Sequence, residues 1–259
     1  MQAGKKIAVA GATGRLGRHV VEVLKAGGRD VVAISRSHGV DLVTGVGLAK
    51  ALAGVECVID AATGPSPEEK PATDFFTASA RNLHEVGERA GVRRIAMVSI
   101  IGVERFTARY MAAKAAHERT LLAGPIPTHI LRAAGFHEFV AQLMEWGTRG
   151  DAIHVPVMRT QLVAARTVAE AVVDLATGPE PVAGAPIPEI AGPREESLVD
   201  VAKLVAARRG DPARIEGVID PNDPDAHLYT SGALLPSPHA VLAGPTFAEW
   251  LDSASGSAK

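Results

Sequence analysis

Cysteine is almost absent from this chain of 259 residues, in which Cys57 is the only one. A single thiol excludes an intrachain disulfide and a cysteine-rich metal cluster. Cys57 opens an apolar run and is expected to be a small core residue. Aromatic residues make up only 4% of the chain, whereas apolar residues make up 47% and charged residues 22%. This composition is typical of a globular protein.

The sequence also lacks a dominant charge and a long apolar run. It has 27 basic and 29 acidic residues, for a formal net charge of −2. Nucleic acid and anionic lipid are bound through an excess of positive charge, so neither is expected as a partner. No apolar stretch approaches the ~20 residues that span a bilayer, and no secretory signal is recognisable. We therefore expect a cytoplasmic protein, monomeric or homodimeric, that acts on a small molecule.

Short apolar runs alternate with helical patterns through the first half of the chain. The runs are continuous, as is typical of strands that are buried on both faces. They cover residues 6–10, 31–35, 57–60, 95–99 and 128–132. Glycines follow the helical patterns between them, which is a common helix stop. This alternation predicts an α/β fold, a doubly wound parallel sheet of the Rossmann type.

The second half is richer in proline and loop residues, and no linker separates two independent domains. The sequence predicts one two-lobed domain over residues 1–259. Residues 1–150 are expected to form the dinucleotide-binding core. Residues 151–259 are expected to form mostly a small C-terminal substrate-binding lobe, apart from a strand near 188–191 that returns to the sheet.

A glycine-rich turn, GATGRLG, lies between the first strand and the first helix. Gly11 allows the tight turn, Gly14 lets the backbone approach a pyrophosphate, and Gly17 lets the helix pack closely. The helix N-terminus offers free N–H groups and a partial positive charge to phosphates. The spacing is GxxGxxG rather than GxGxxG, and its position between strand and helix predicts dinucleotide binding.

The end of the second strand indicates which dinucleotide is bound. An acidic residue there commonly binds the ribose 2′-hydroxyl of NAD, whereas an arginine binds the 2′-phosphate of NADP. The sequence has Arg36 between two serines, and no carboxylate at positions 33–37. Because a guanidinium binds a phosphate through two hydrogen bonds, NADP(H) is expected and NAD(H) is less favoured. Asp41 follows and is a candidate for the adenine side.

With these motifs the chain resembles the NmrA-like, NAD(P)-binding branch of the atypical short-chain dehydrogenase/reductases. The resemblance covers nearly the whole chain, with the tract between Tyr110 and Phe139 as its most specific part. Its motifs are GATGRLGR at 11–18, SR at 35–36, GVECVIDAA at 54–62, GVRRIAMVSIIGV at 91–103, YMAAKAAHE at 110–118, THILRAAGFHEF at 128–139 and TFAEWL at 246–251. The chain departs from the family after Arg132, where Ala133-Ala134-Gly135 replaces more polar residues.

The resemblance implies roles for residues at matching positions. Thr13, Arg15 and Leu16 would lie along the pyrophosphate, with the three glycines of the turn. Asp41 and Leu42 would flank the adenine. The ribose and nicotinamide side would be lined by Ala61, Ala62 and Thr63. Ser99 would close the nicotinamide pocket from the end of its strand.

Tyr110 and Lys114 are four residues apart on a predicted helix, so they share one face. This spacing matches the YxxxK pattern of short-chain reductases. A nearby ammonium is expected to lower the pKa of the tyrosine, which would then give a proton to a carbonyl oxygen as hydride arrives at carbon. Ser99 is expected to hold that oxygen, and Lys114 also to position the cofactor.

Four residues just beyond the fifth strand are candidates for the substrate site: Phe136, His137, Phe139 and Trp146. Ligands of open parallel sheets bind beyond the carboxyl ends of the strands. The nine histidines show no metal-binding spacing, and the chain has no GxSxG motif of a hydrolase.

The sequence therefore favours an NADPH-dependent oxidoreductase acting on a small organic carbonyl, quinone or related acceptor. Two alternatives remain open. One is an NADP(H)-binding redox sensor or regulatory protein without turnover. The other is an NAD-dependent sugar-nucleotide epimerase or dehydratase.

Overall fold

A computed structural model of the chain describes residues 6–64, 66–182, 184–211 and 213–256. The chain divides into two compact units that interleave along the sequence. The first unit comprises the segment up to Ser99 with Ala108–Arg132 and Val168–Ile187. The second comprises Ile100–Thr107, Ala133–Thr167 and the chain from Pro188 onward. The division thus differs from a single boundary near residue 150, because the chain leaves the first unit after Ser99 and again after Arg132, and returns to it each time.

The strands and helices have the following bounds. The strands are β1 (Lys6–Ala10), β2 (Asp30–Ile34), β3 (Val55–Asp60), β4 (Arg94–Ile100), β5 (Thr128–Ala133), β6 (Thr148–Arg149), β7 (Ala152–Pro156), β8 (Arg159–Thr160), β9 (Glu189–Ala191), β10 (Glu196–Ser197), β11 (Arg214–Val218) and β12 (Val241–Leu242). The helices are α1 (Gly17–Ala26), α2 (Leu48–Leu52), α3 (Glu69–Ala90), α4 (Arg109–Leu122), α5 (Val140–Gly147), α6 (Ala165–Thr177), α7 (Leu198–Arg209), α8 (Ala226–Ser231) and α9 (Phe247–Gly256). Short 3₁₀ turns lie at Arg36–His38, Val103–Arg105 and His137–Phe139.

The strands of the first unit follow the order β5-β4-β3-β1-β2. β1 pairs in parallel with β2 and β3, so that Ala10 lies opposite Ile34 on one side and Asp60 on the other. The carboxyl ends of three strands therefore meet at one edge. In the second unit β9 and β12 also pair in parallel with each other. The predicted parallel α/β fold of the Rossmann type is confirmed.

The core of the first unit consists of the apolar strand residues and the inward faces of the helices. Its members include Ala8, Ile34, Leu83, Ile95 and Met97, all buried. Cys57 is buried as expected, and burial raises the pKa of its thiol to about 11. Within the described residues, no helix combines the length and apolarity needed to cross a membrane.

The second unit has its own core and two small sheets. β7 lies between β6 and β11, and β8 pairs with β10. The core brings together residues of α5, β7, α7 and α9, among them Met144, Val155, Val201 and Phe247. The expected strand near 188–191 corresponds to β9, whose return to the sheet of the first unit stays a prediction.

Candidate active site

The glycine-rich turn joins β1 to α1 and has almost no room for side chains. Gly11 has a φ of +73°, and a Cβ there would lie 2.7 Å from the Cα atom of Ala62. A Cβ on Gly17 would lie 2.1 Å from the carbonyl oxygen of Gly11. The chain therefore turns back on itself at a distance that only glycine permits.

Backbone hydrogen bonds fix this turn against the neighbouring strand. The N–H groups of Gly11 and Ala12 both donate to the carbonyl oxygen of Ile34, at 3.0 and 3.2 Å. No side chain caps α1, and its first turn contains no acidic residue. The first N–H groups of a helix have no acceptor within it, so the start of α1 fits the pyrophosphate of a dinucleotide. Thr13, Arg15 and Leu16 lie in this turn, and their predicted contact with the pyrophosphate stays a prediction.

The loop after β2 collects the groups that a 2′-phosphate would need. The Ser35 hydroxyl lies 2.8 Å from that of Ser37 and 2.7 Å from Nδ1 of His38. Arg36 is exposed in the same turn. The carboxylate of Asp41 instead accepts the N–H groups of Val43 and Thr44, at 2.7 and 3.1 Å. Asp41 thus stabilises its own loop, a role that the sequence did not suggest.

Leu42 is buried, and Asn82 of α3 donates to its carbonyl oxygen at 2.8 Å. This contact attaches the Asp41–Leu42 loop to the first unit. The predicted contact of both residues with adenine stays a prediction.

Residues that follow β3 bring α4 to the edge of the sheet. The Ala61 N–H donates to Ala10 at 3.1 Å, which extends the β1–β3 pairing. The Ala62 N–H donates to the carboxylate of Asp60 at 3.0 Å. The hydroxyl groups of Thr63 and Tyr110 are hydrogen-bonded to each other, with their oxygens 3.0 Å apart. The phenol of Tyr110 is thereby held beside the carboxyl end of β3.

Tyr110 is largely enclosed, with its ring edge-on to that of Phe76 at 5.9 Å. Burial raises the pKa of Tyr110 above its ordinary value, against a smaller effect of the Thr63 hydroxyl. The expectation that Lys114 lowers this pKa is therefore wrong. The Lys114 ammonium is instead engaged by other groups on the same helix and on β3.

Lys114 is buried, and its Nζ atom lies 3.3 Å from Nδ1 of His117. The same atom lies over the ring of Phe76, 4.8 Å from its centre, in the arrangement of a cation–π contact. Burial lowers the pKa of Lys114 to about 8, although the charges of Asp60 and Glu118 act in the opposite direction.

Ser99 lies near the end of β4 and is buried. Within the described residues its Oγ atom has no hydrogen-bond partner. A buried hydroxyl without a partner is costly unless a ligand or water satisfies it. This observation fits a bound group at the carboxyl end of the sheet.

The four predicted substrate residues all belong to the second unit. His137 is buried, 5.3 Å from the ring of Phe247 and 5.4 Å from that of Trp250, and its Nε2 atom lies 3.2 Å from the carbonyl oxygen of Pro245. This is the packing of a core residue, so the predicted substrate contact of His137 gains no support.

Of the other three predicted substrate residues, Phe136 and Phe139 precede α5 and Trp146 lies near its end. Phe136 forms a parallel bridge with Val163. Phe139 lies edge-on to Trp146, with ring centres 5.5 Å apart, and Trp146 is 47% exposed. Their contact with a substrate stays a prediction.

Two residues at the centre of this arrangement were missed by the sequence analysis. Asp60 ends β3, and Nε2 of His117 lies 3.1 Å from its carboxylate oxygen. The signal was present: His117 is seven residues after Tyr110, on the face that Lys114 also occupies. No cluster of histidine, cysteine and carboxylate side chains able to hold a metal ion occurs in the part of the chain that is described.

Comparison with known proteins places this geometry in a family. A family model described as NAD(P)H-binding matches residues 11–179. No curated protein matches the chain.

Several solved structures share the fold. MoeE5 in complex with UDP-glucose and NAD is 18% identical with a TM-score of 0.72, over 99% of this chain and 100% of that one. A short-chain dehydrogenase/reductase superfamily protein from Agrobacterium tumefaciens with bound NAD is 18% identical with a TM-score of 0.67, over 97% and 96%. A dTDP-4-dehydrorhamnose reductase from Clostridium acetobutylicum is 17% identical with a TM-score of 0.64, over 95% and 92%. The chain belongs to the NAD(P)H-binding family, whose model covers more than half of it.

Proposed function

We propose that the protein is an NADPH-dependent oxidoreductase that reduces a small organic carbonyl, quinone or related acceptor, with Tyr110 as the proton donor. The observation that carries the proposal is the placement of Tyr110. Its hydroxyl is hydrogen-bonded to Thr63 at the carboxyl end of β3. Its ring contacts Phe76, and so does the ammonium group of Lys114. Dinucleotides bind beyond the carboxyl ends of strands in this fold.

The raised pKa of Tyr110 is consistent with a protonated phenol in the active site. A phenol whose pKa lies above its ordinary value keeps its proton at neutral pH, so it is available as a general acid. The nicotinamide ring, when bound, supplies the hydride. Tyr110 supplies the proton to the acceptor oxygen, and the hydrogen bond with Thr63 holds the phenol oxygen in place. Lys114 provides a buried positive charge on the same helix face, and Ser99 provides an unpaired hydroxyl at the end of β4.

Replacement of Tyr110 tests this role. Positioned proton transfer contributes about 10²–10⁴-fold to rate, so Tyr110→Phe should lower kcat by that factor and leave the Kd for NADPH nearly unchanged. Nicotinamide absorbance during a screen of carbonyls and quinones is the measurement. Tyr229→Phe is the matched control, because Tyr229 is the other tyrosine and packs on Phe106 in the second unit. Full activity of Tyr110→Phe on a turned-over acceptor would show that the phenol is not the acid.

The cofactor preference rests on the loop after β2. Arg36, the two serine hydroxyls and His38 lie in one turn, while the carboxylate of Asp41 is occupied by backbone N–H groups. A charge-assisted contact with a phosphate is worth about 1.5–3 kcal/mol, which corresponds to roughly ten-fold or more in affinity. We expect NADPH to bind at least about ten-fold more tightly than NADH.

Arg36→Ala should remove this preference by weakening NADPH binding and leaving NADH binding within about two-fold. Calorimetric titration of both nucleotides measures it. Arg29→Ala is the control, since Arg29 is an exposed arginine at the opposite end of β2. Equal affinities in the native protein, or a preference that survives Arg36→Ala, would contradict the proposal.

A second candidate is an NAD-dependent epimerase or dehydratase of sugar nucleotides. It is favoured by the likeness to MoeE5, whose structure contains UDP-glucose and NAD and covers 99% of this chain. It predicts NAD that stays bound during purification and calorimetric binding of UDP-glucose. A third outcome, tight NADPH binding without turnover of any acceptor, would favour the redox sensor.

A further inference from the structure

A buried polar chain runs behind the proposed proton donor, from β3 to the interior face of α4. Asp60, Lys114 and His117 are all at most 6% exposed. His117 lies between the other two, with Nε2 3.1 Å from Asp60 and Nδ1 3.3 Å from the Lys114 Nζ atom. The proposed function does not by itself require Asp60 or His117.

We propose that Asp60 and His117 are positioning residues for Lys114. Asp60 holds His117 in the neutral tautomer that carries its proton on Nε2, and Nδ1 of His117 then accepts a hydrogen bond from the Lys114 ammonium. The inference rests on the proposed role of Lys114 in the active site, and it assigns to two further residues the task of fixing that ammonium in place and keeping it charged.

The tautomer follows from the two neighbours of the imidazole ring. Lys114 in its charged form has donors only, so Nδ1 must present its lone pair. Nε2 must then carry the proton, and it faces the carboxylate of Asp60. The contact with Asp60 is close but not a straight hydrogen bond, and it involves Oδ2. The Ala62 N–H donates to the other oxygen, Oδ1. Each ring nitrogen therefore has a partner of the right polarity.

Packing fixes the ring as well as its protonation. His117 stacks on Phe76, with ring centres 4.5 Å apart and an angle of 17° between the planes. Phe76 is fully buried and also lies beneath the Lys114 ammonium. One aromatic side chain of α3 thus supports both members of the His117–Lys114 contact. A lysine side chain has many rotamers, and the contact with the Phe76 ring restricts Lys114 to few of them.

The positive and negative charges around Asp60, His117 and Lys114 compensate one another when His117 is neutral. Lys114 faces the carboxylates of Asp60 and Glu118, and Glu118 is paired with Arg132 at 2.8 Å. Tyr110, on the same helix face, stays protonated. Burial and the charge of Lys114 both lower the pKa of His117. Burial alone would raise the pKa of Asp60, but His117, Lys114 and the Ala62 N–H outweigh it and lower that pKa. The opposite state, an imidazolium beside a neutral amine, is disfavoured by these surroundings.

Nitrogen NMR of the cofactor-free, full-length protein tests the tautomer in the native sequence. At neutral pH the ¹⁵N signals of His117 should be those of a neutral ring protonated on Nε2. His117→Asn identifies the signals by removing them, and His239→Gln is the control for an exposed histidine. A ring protonated on Nδ1 only, or an imidazolium at neutral pH, would overturn the proposal.

Titration of Lys114 in labelled protein tests the positioning itself. A nearby opposite charge raises the pKa of an ammonium group, by about one unit or more. The carboxylate of Asp60 acts on Lys114 in this way, so Asp60→Asn should lower the pKa of Lys114 by about that amount, from about 8. His117→Leu should lower it too, whereas His117→Asn keeps an acceptor near Nδ1 and should restore most of it.

These readouts need neither cofactor nor acceptor, so they separate the present inference from the proposed function. If Lys114 titrates alike in the native protein, His117→Leu and Asp60→Asn, the positioning role is wrong even if the enzyme reduces carbonyls. If the shifts occur and no acceptor is turned over, the polar chain stands and the proposed reaction fails. Should Asp60→Asn not fold, the pair of His117 variants and the tautomer decide.

Discussion

At the scale of single residues, the glycine-rich turn shows what a motif can and cannot specify. The sequence assigned close packing to Gly17, and its missing Cβ is indeed a necessity. The atom that it would meet is the carbonyl oxygen of Gly11, at 2.1 Å, six residues earlier in the same turn. Gly14 is less constrained, since a Cβ there would lie 3.1 Å from the same oxygen.

Gly17→Ala should therefore destabilise the protein, by about 1–3 kcal/mol in the free energy of unfolding. The direction is informative because alanine normally stabilises a helix relative to glycine, by about 0.5–1 kcal/mol. Gly14→Ala, the matched control, should cost less stability because its neighbour needs to move only slightly. Urea unfolding of the three proteins measures the difference. A Gly17→Ala protein as stable as the native one would contradict the close approach.

The YxxxK spacing predicted the helix face of Tyr110 and Lys114 but not the electrostatics of that face. The sequence places Lys114 and His117 on one helix face, but it could not reveal their contact with Asp60, which is distant in sequence and meets α4 only in the folded state. The pKa of Tyr110 was consequently predicted to fall, whereas burial raises it. Residue spacing along a helix determines which face a side chain lies on. The pKa of that side chain depends on all the groups packed against it.

At the scale of elements, the first five strands and α4 were predicted closely. Residues 6–10 are β1 as expected, and α4 spans Arg109–Leu122. Continuous apolar runs bounded by glycines gave a strong signal there. The second unit gave little, because β6, β8, β10 and β12 have two residues each, too few for any periodicity. The helix α6 was missed as well.

The attachment of α4 to β5 depends on an ion pair that is almost buried. Arg132 donates to both carboxylate oxygens of Glu118, at 3.1 and 2.8 Å. Removal of one member of a buried pair is strongly destabilising, by about 3–5 kcal/mol. We expect Glu118→Gln to lower the free energy of unfolding by about 3 kcal/mol.

The exposed pair Arg89–Glu85, also at 2.8 Å, is the matched control. Exposed pairs contribute about 0–1 kcal/mol, so Glu85→Gln should lower the free energy of unfolding by much less than Glu118→Gln. Chemical denaturation of both variants measures the contrast. Equal losses would show that burial does not set the value of the Glu118–Arg132 pair.

At the scale of the whole molecule, the chain divides its chemistry between two interleaved units. The glycine-rich turn, the Arg36 loop and the Asp60–His117–Lys114 chain all belong to the first. Both tryptophans, Trp146 and Trp250, belong to the second. Tryptophan fluorescence therefore reports unfolding of the second unit, while far-ultraviolet circular dichroism reports both.

Two buried histidines of the first unit should make that unit sensitive to acid. His84 has both ring nitrogens engaged: Nε2 lies 2.9 Å from the carbonyl oxygen of Leu121, and Nδ1 accepts the N–H of Ile126 at 3.3 Å. Burial lowers the pKa of His84 despite the Leu121 contact, as burial and Lys114 lower that of His117. Both rings are thus neutral in the folded state, and an added proton would find no acceptor at Nδ1.

The free energy of unfolding should accordingly fall as pH falls from 7 towards 5. The unfolded chain takes up protons near pH 6.5, the ordinary histidine pKa, whereas the folded state does not until its lower pKa is reached. Below pH 6.5 each such histidine contributes a loss of up to about 1.4 kcal/mol per pH unit. Urea unfolding followed by circular dichroism across this range gives the slope. His84→Gln should reduce it, since glutamine does not titrate, and His239→Gln, at an exposed site, should not. A flat profile between pH 7 and 5, or a slope that His84→Gln leaves unchanged, would show that His84 takes up a proton as readily in the folded state as in the unfolded chain.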